Sequence, residues 1–456
     1  MSITAVELEN RHPQITSSLQ LDNSQHQTRS ETEPDQFATV DQSAPDNAAT
    51  AIPDGGYGWV VVFCCSVLTF WFSGLTGAWG VVQTALLSST LEGTASSTTA
   101  FVGSLSITIC VAFGLVAVRL MQITGVRLAA TLGISLLGIG ALTSSFTTTN
   151  VAGLFQTYGV VLGVGDCLCY TASNVMPMQY FSHRIGLASA LIKLGGGLGA
   201  TVLSVSLNSL INRVGVVWMF RILGLAVLIT GVPAALAIKE RTPLAKVPIL
   251  DVALFKSVPF SAIFIAGATA TFSLFVPPFF LPLFAQSIGL SNNVGAGLVA
   301  GFNGCTTVGR FIAGPLCDRI GPLNTFVIVV VLNAVTILTI WPVSSTLTPL
   351  IFFVTLNGVA NGAFFTTLPT VVASMVDPSR AAVAMGMSIT GWTAGYLMGP
   401  PIAGYLLEAS GAMRGEDDGG AAYRGAIFYA GGLATLSSTF VLVARLVMDK
   451  KVLKKI

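Results

Sequence analysis

Charge is what this chain of 456 residues has least of: only 9% of it is Asp, Glu, Lys or Arg. A soluble domain carries about 25%, and no water-soluble globule covers its surface with so little. Histidine is scarcer still. His12, His26 and His183 stand far apart, so no His/Cys set has metal-ligand spacing. The seven cysteines form no Cys-x-x-Cys and lie in apolar stretches, where they read as small buried hydrophobes. Glycine shows no three-residue period, which excludes collagen. There is no basic stripe for nucleic acid, no Gly-x-x-x-x-Gly-Lys loop for ATP and no Ser/His/Asp arrangement for catalysis. Neither a metal nor a cofactor is expected, and the chain does not read as an enzyme. What it has in abundance is apolar sequence: 53% hydrophobic residues and a mean hydropathy of +0.77. That composition specifies a polytopic membrane protein.

Residues 1–53 are different. They hold eight acids against two bases and a single aromatic, Phe37. Such a segment buries too little apolar surface to offset its chain entropy, so a disordered tail is expected. It shows no basic stretch followed by an apolar run, so no cleaved signal peptide is expected. Beyond it, a bilayer core about 30 Å thick needs about 20 apolar residues per helix. Twelve such runs occur, over 57–83, 98–119, 126–146, 150–176, 185–209, 215–238, 258–284, 295–317, 323–342, 347–374, 382–408 and 423–447. The runs are continuous rather than alternating, which excludes a β-barrel. The sequence therefore predicts an all-α membrane protein. Its predicted parts are a tail (1–53), a first six-helix bundle (54–238), a linker (239–257), a second bundle (258–448) and a basic tail (449–456).

Loop charges set the expected orientation. With the first tail in the cytoplasm, the inner loops and C-terminus hold fourteen Lys and Arg, including Arg119, Arg127, Arg184, Lys239 and Arg380. The outer loops hold three, Arg213, Arg414 and Arg424. Both termini are thus expected in the cytoplasm, with the plasma membrane as first choice and the vacuolar membrane as second. Oligomeric state leaves no mark in the sequence.

The chain repeats itself. Gly163-Val164-Gly165-Asp166 in span 4 falls on Gly358-Val359-Ala360-Asn361 in span 10, Tyr170-Thr171 on Phe365-Thr366, and Gly125 on Gly321. Two parallel six-helix repeats resemble the plan of the major facilitator transporters, which implies alternating access around a site at mid-membrane. Gly314-Pro315-Leu316-Cys317-Asp318-Arg319-Ile320-Gly321 resembles the facilitator signature after span 8. The resemblance implies that Asp318 and Arg319 gate the inner side, while Gly314 and Gly321 permit close helix approach. The first-half counterpart has Gln122 and Ile123 in place of Asp and Arg. Asp54-Gly55-Gly56-Tyr57-Gly58-Trp59, before span 1, looks like the opening motif of the monocarboxylate porter family. With the stretch from Tyr180 to Ala188 and those around Arg221 and Arg310, it is most similar to the fungal branch. Read from the residues alone, the glycines make a turn and the aromatics suit the membrane interface.

The family resemblance implies carriage of small carboxylates with a proton, or of other organic solutes in fungal relatives. Two departures stand out. Animal members have a lysine near the end of span 1, where this chain reads Gly77 to Gln83 without one, and an acid where this chain has Thr306.

Four charges lie inside spans, where each needs a reason. Asp166, Lys193 and Arg310 are about 16, 12 and 10 Å from the inner end at 1.5 Å per residue, and Arg221 lies near the outer end. Two readings stay open for the first pair: Lys193 or Arg310 as an anion site with Asp166 as proton carrier, or a buried Asp166–Lys193 pair that fixes packing. The candidate solute contacts are Arg310, Lys193, Asn303, Trp79, Tyr170, Phe365 and Trp392. The run Gly195 to Gly199 sits mid-span and reads as helix packing rather than a phosphate cradle. Pro277, Pro278, Pro282, Pro369, Pro400 and Pro401 should break or kink spans 7, 10 and 11. The expected function is secondary transport of a small organic anion, with protons as candidate co-solute and the lipid bilayer as the chain's other partner. Export of a fungal secondary metabolite, or uptake of a larger aromatic solute, is the alternative. A non-transporting sensor is the reading from another class.

Overall fold

The computed structural model describes residues 55–181, 184–241, 251–376, 378–410 and 419–448. The expected tails, Asp54, His183, residues 242–250 of the linker and the acidic stretch 411–418 of the outer loop lie outside the described residues.

Among the described residues, eight helices are long and apolar enough to cross a membrane. Twelve crossings follow from the way they join and break. Ile185–Ala237 is a single hydrogen-bonded run of 53 residues, about 80 Å long at 1.5 Å per residue and far too long for one crossing. It turns at Gly215, where φ 78 and ψ 169 leave the helical region and suit only glycine. Spans 5 and 6 therefore meet with almost no loop. Span 2 is bent by 57° between Ser96–Ala112 and Gly114–Thr124. Span 11 is interrupted between Pro378–Thr390 and Thr393–Ala409. Span 8, Asn292–Ile320, is diluted by Asn292, Asn293, Asn303, Arg310, Asp318 and Arg319. The rest are span 1 (Gly58–Gly77 and Trp79–Leu87), span 3 (Val126–Ser144), span 4 (Val151–Tyr180), span 7 (Val258–Leu274 and Val276–Ser287), span 9 (Pro322–Val343), span 10 (Leu347–Met375) and span 12 (Arg424–Met448).

The breaks have local causes. Span 7 stops at Phe275, just before Pro277 and Pro278, which supply no N–H to the turn before them. Span 1 stops at Ala78, opposite that break: a Cβ added to Gly80 would lie 2.1 Å from the Pro278 carbonyl oxygen. Pro369, Pro400 and Pro401 do not interrupt their helices. The break in span 11 is at Gly391 and Trp392 instead. Gly391 is packed on Phe264 and Gly395 on Thr271, so close contact with span 7 sets that break rather than proline.

The glycine run in span 5 is a packing stripe. Cβ atoms on Gly195, Gly196 and Gly199 would lie 2.5, 2.8 and 2.1 Å from Ser66, Thr69 and Phe70 of span 1. The internal repeat is visible in the same contacts. Gly163 packs on Ser106 in span 2 and Gly358 on Phe302 in span 8. Gly125 and Gly321, which open spans 3 and 9, both take positive φ, 83 and 95. Two six-helix halves thus share one local design.

Candidate solute site and gates

Spans 5 and 8, one from each half, run side by side in opposite directions. At the end away from the chain termini, the outer end in the orientation expected from the loop charges, Asn208 and Asn212 donate to Oδ1 of Asn293 at 2.7 and 3.2 Å. Deeper, a Cβ on Gly304 would meet Thr201 at 3.8 Å, and one on Gly197 would lie 1.8 Å from Thr307 Oγ1. Asn303 donates from Nδ2 to the Gly77 carbonyl at 3.0 Å and to Ser204 Oγ at 3.4 Å. It therefore holds the seam between the halves. Spans 2 and 11 close another edge: the Ser97 backbone N–H donates to Glu408 at 2.7 Å and the Ser96 hydroxyl at 3.3 Å. Glu408 satisfies a free N–H at the start of span 2, where the helix dipole favours an acid. Between described residues, the hydrogen bonds that join the halves all lie at or outside the Asn303 layer. Outside that layer a cavity of about 400 Å³ remains, lined by Thr84, Asn208, Asn212, Gly215, Gln286 and Asn292 among others.

One turn inward of the tight Gly197–Thr307 crossing stand the two cations. Lys193 keeps its side chain exposed although it lies eight residues into its helix. Arg310 sits with Cζ 5.7 Å from the ring centre of Phe365. Its Nε has no hydrogen-bond partner, and neither cation has an acid partner among the described residues. Tyr170, Tyr396 and Lys193 are its electrostatic neighbours. Phe365 continues into an aromatic wall: Trp392 at 6.0 Å, Tyr396 a further 6.1 Å on, and Phe275 at 5.0 Å from Tyr396. Tyr170 meets Phe72 at 5.9 Å. A cation without an acid, set against ring faces, suits a flat anion.

Asp166 is elsewhere. It is 1% exposed, accepts from the Ser106 hydroxyl at 2.8 Å, and leaves Oδ1 without a partner among the described residues. It makes no ion pair with Lys193, so the buried pair allowed by their depths does not form. Trp79 has its described ring contact in the first half. It packs on Tyr158 at 4.3 Å, with Gly103 making room for its ring. Arg221 donates to Ser145 at 3.4 Å and rests between Phe146 and Trp218 at the outer end.

Residues 59–307, and again 263–455, match the Major Facilitator Superfamily. The chain belongs to the Major Facilitator Superfamily. Its relatives include MFS-type transporter 1 of an Ophiocordyceps species, 28% identical over 86% of each chain. The Aspyridones efflux protein apdF of Emericella nidulans is 27% identical over 79% of this chain and 74% of its own. The Agnestins efflux protein AgnL12 of Paecilomyces divaricatus is 27% identical over 85% and 87%. Among solved structures, the nucleoside transporter NupG superposes with a TM-score of 0.67 at 16% identity, covering 84% of this chain and 99% of its own. That likeness carries the fold alone.

As a member of the Major Facilitator Superfamily, the chain is a multi-pass transporter of a small molecule. Its facilitator signature ends in a turn at Gly321, with φ 95, whose N–H donates to the Cys317 carbonyl at 3.0 Å, where the resemblance implies close helix approach. Asp318 and Arg319 are exposed there. Gly314 differs from expectation: an added Cβ would meet nothing within 4 Å, so it allows no close helix approach. The opening motif does more than anchor at an interface. Gly55 and Gly56 make the turn, with Gly56 at φ 60. Tyr57 donates to the Ala237 carbonyl at 2.7 Å and lies under Lys239 at 4.8 Å. Gly58 and Trp59 pack on Phe181. Tyr180 donates to the Lys239 carbonyl at 2.8 Å, and Glu240 accepts from the first N–H of span 3 at 3.0 Å. The motif thus staples the start of span 1 to the inner ends of spans 4 and 6. Sequence reasoning missed this staple and the Asn208–Asn293 seam. Only the unusual density of Asn at the start of span 8 hinted at the second.

Proposed function

We propose that this facilitator exports a flat organic anion of the secondary-metabolite kind by alternating access, with both termini in the cytoplasm and the plasma membrane as its site. The observation that carries the reading is Arg310, a cation with no acid partner among the described residues, set against Phe365 in an aromatic wall. The names of the aspyridone and agnestin efflux proteins support export of such solutes. The opening motif and the Arg310 region support kinship with the fungal monocarboxylate porters. Asp166 is the acid that would exchange a proton during the cycle, since its Oδ1 is unpartnered and no cation is bound to it. Trp392, Tyr396 and Tyr170 would wall the solute, and Asn303 would sit at its outer edge.

The test is counterflow in proteoliposomes with labelled 2-naphthoate beside acetate. Naphthoate should exchange faster than acetate, and Arg310→Ala, checked for folding by its elution profile, should lose the exchange. Preference for acetate, or full activity in Arg310→Ala, would overturn the reading.

A further inference from the structure

The seam between spans 5 and 8 follows a register. Asn208 faces Asn293, Thr201 faces Gly304, and Gly197 faces Thr307. The helices run in opposite directions, so one more turn inward on each brings Lys193 opposite Arg310. This is the first layer of the seam that carries charge, and both charges are positive. Outside it, an amide bridge closes the Asn208–Asn293 layer, Thr201 and Gly304 lie at ordinary contact distance, and Gly197 alone makes room for the facing side chain, Thr307.

Among the described residues, Asp166 and Glu408 are placed where they neutralise neither cation. Asp166 is turned to Ser106 in span 2, and Glu408 is bound to Ser96 and Ser97 at the outer end. On span 8 the position one turn before Arg310 holds Thr306, whose hydroxyl is buried without a partner among the described residues. Two like charges brought together away from water repel strongly, and inner closure would bring these two together.

We infer that Lys193 and Arg310 form a wedge of like charge between the halves, and that the transported anion is the counter-charge that lets the inner side close. The inference rests on Arg310 as an anion contact and adds the partner and the consequence. A ligand shifts a conformational equilibrium only by what it gains in one state over the other. Here the gain is the neutralisation of two cations at once, one from each half, which only the closed state offers. A neutral solute of the same shape gains nothing of this kind. The empty carrier then reorients slowly, and exchange outruns net flux.

The test measures the separation of spin labels at the inner ends of spans 4 and 10, on Met178→Cys and Ala373→Cys, with the native cysteines replaced. Without solute the wild-type background should show the long separation. Adding 2-naphthoate should populate a shorter one, and neutral 2-naphthamide should not. Lys193→Glu should give the short separation with no solute present, because an opposite-charge pair replaces the wedge. Lys193→Glu combined with Arg310→Glu restores like charge and should return the long separation. The inference falls if naphthamide closes the protein as naphthoate does, or if Lys193→Glu stays open. It also falls if the double variant stays closed. Should naphthoate fail to bind at all, the anion reading of Arg310 fails with it. The charge-reversal arm needs no solute, so it still decides whether the wedge exists.

Discussion

Gly197 has no room for a side chain, because an added Cβ would lie 1.8 Å from Thr307 Oγ1. A methyl group there overpacks the closest crossing between the halves, at a cost of about 1–3 kcal/mol. Gly197→Val should therefore leave the protein folded and reduce exchange sharply, and Thr307→Ala should recover part of it. Failure of the second change to rescue the first would place the fault in span 5 itself. Asp166 makes a different prediction. Asn at this position keeps a hydrogen bond with Ser106 but carries no exchangeable charge. Asp166→Asn should retain exchange at equal pH on both sides and lose any stimulation by a proton gradient. A variant that still responds to the gradient would remove Asp166 from the coupling.

At the scale of the element, the staple built on Tyr57 is the clearest case. Its hydroxyl ties the start of span 1 to the end of span 6, 180 residues away. Tyr57→Phe removes one hydrogen bond, worth about 1 kcal/mol, and should lower the unfolding temperature slightly with exchange unchanged. Much of the architecture at this scale was legible beforehand. Spans were read from apolar runs, and their ends fall close to those observed because a bilayer imposes one length on all of them. Gly215 stood at the start of the sixth run, although nothing local showed that its turn would have no loop. The breaks in spans 1, 7 and 11 were legible only in part. Pro277 and Pro278 act through their own missing N–H groups, which the sequence displays. Gly391 yields to contact with Phe264, which it does not. Arg310 and Lys193 could be found because charge in a bilayer is rare. That Lys193 is left without Asp166 could not, since Asp166 accepts from Ser106 through geometry that spacing along two helices leaves open.

For the whole molecule, the outer side is closed by contacts from three pairs of spans, and each can be loosened separately. Glu408 holds the start of span 2 through charge-assisted bonds to Ser96 and Ser97. Glu408→Gln keeps the shape and removes the charge, a loss of about 1 kcal/mol at a helix N-terminus. It should favour opening of the outer side, seen as faster reaction of an outer-end cysteine with an impermeant maleimide. Unchanged reactivity would make Glu408 a bystander. The cavity of about 400 Å³ outside the Asn303 layer has a consequence for pharmacology. Its walls come from spans 1, 5 and 6 in the first half and 7 and 8 in the second, and they must part when the carrier opens outward. A compound that filled it would act as a doorstop in reverse, arresting the cycle with the door shut. It would need no likeness to the solute, and raising the solute concentration would not displace it.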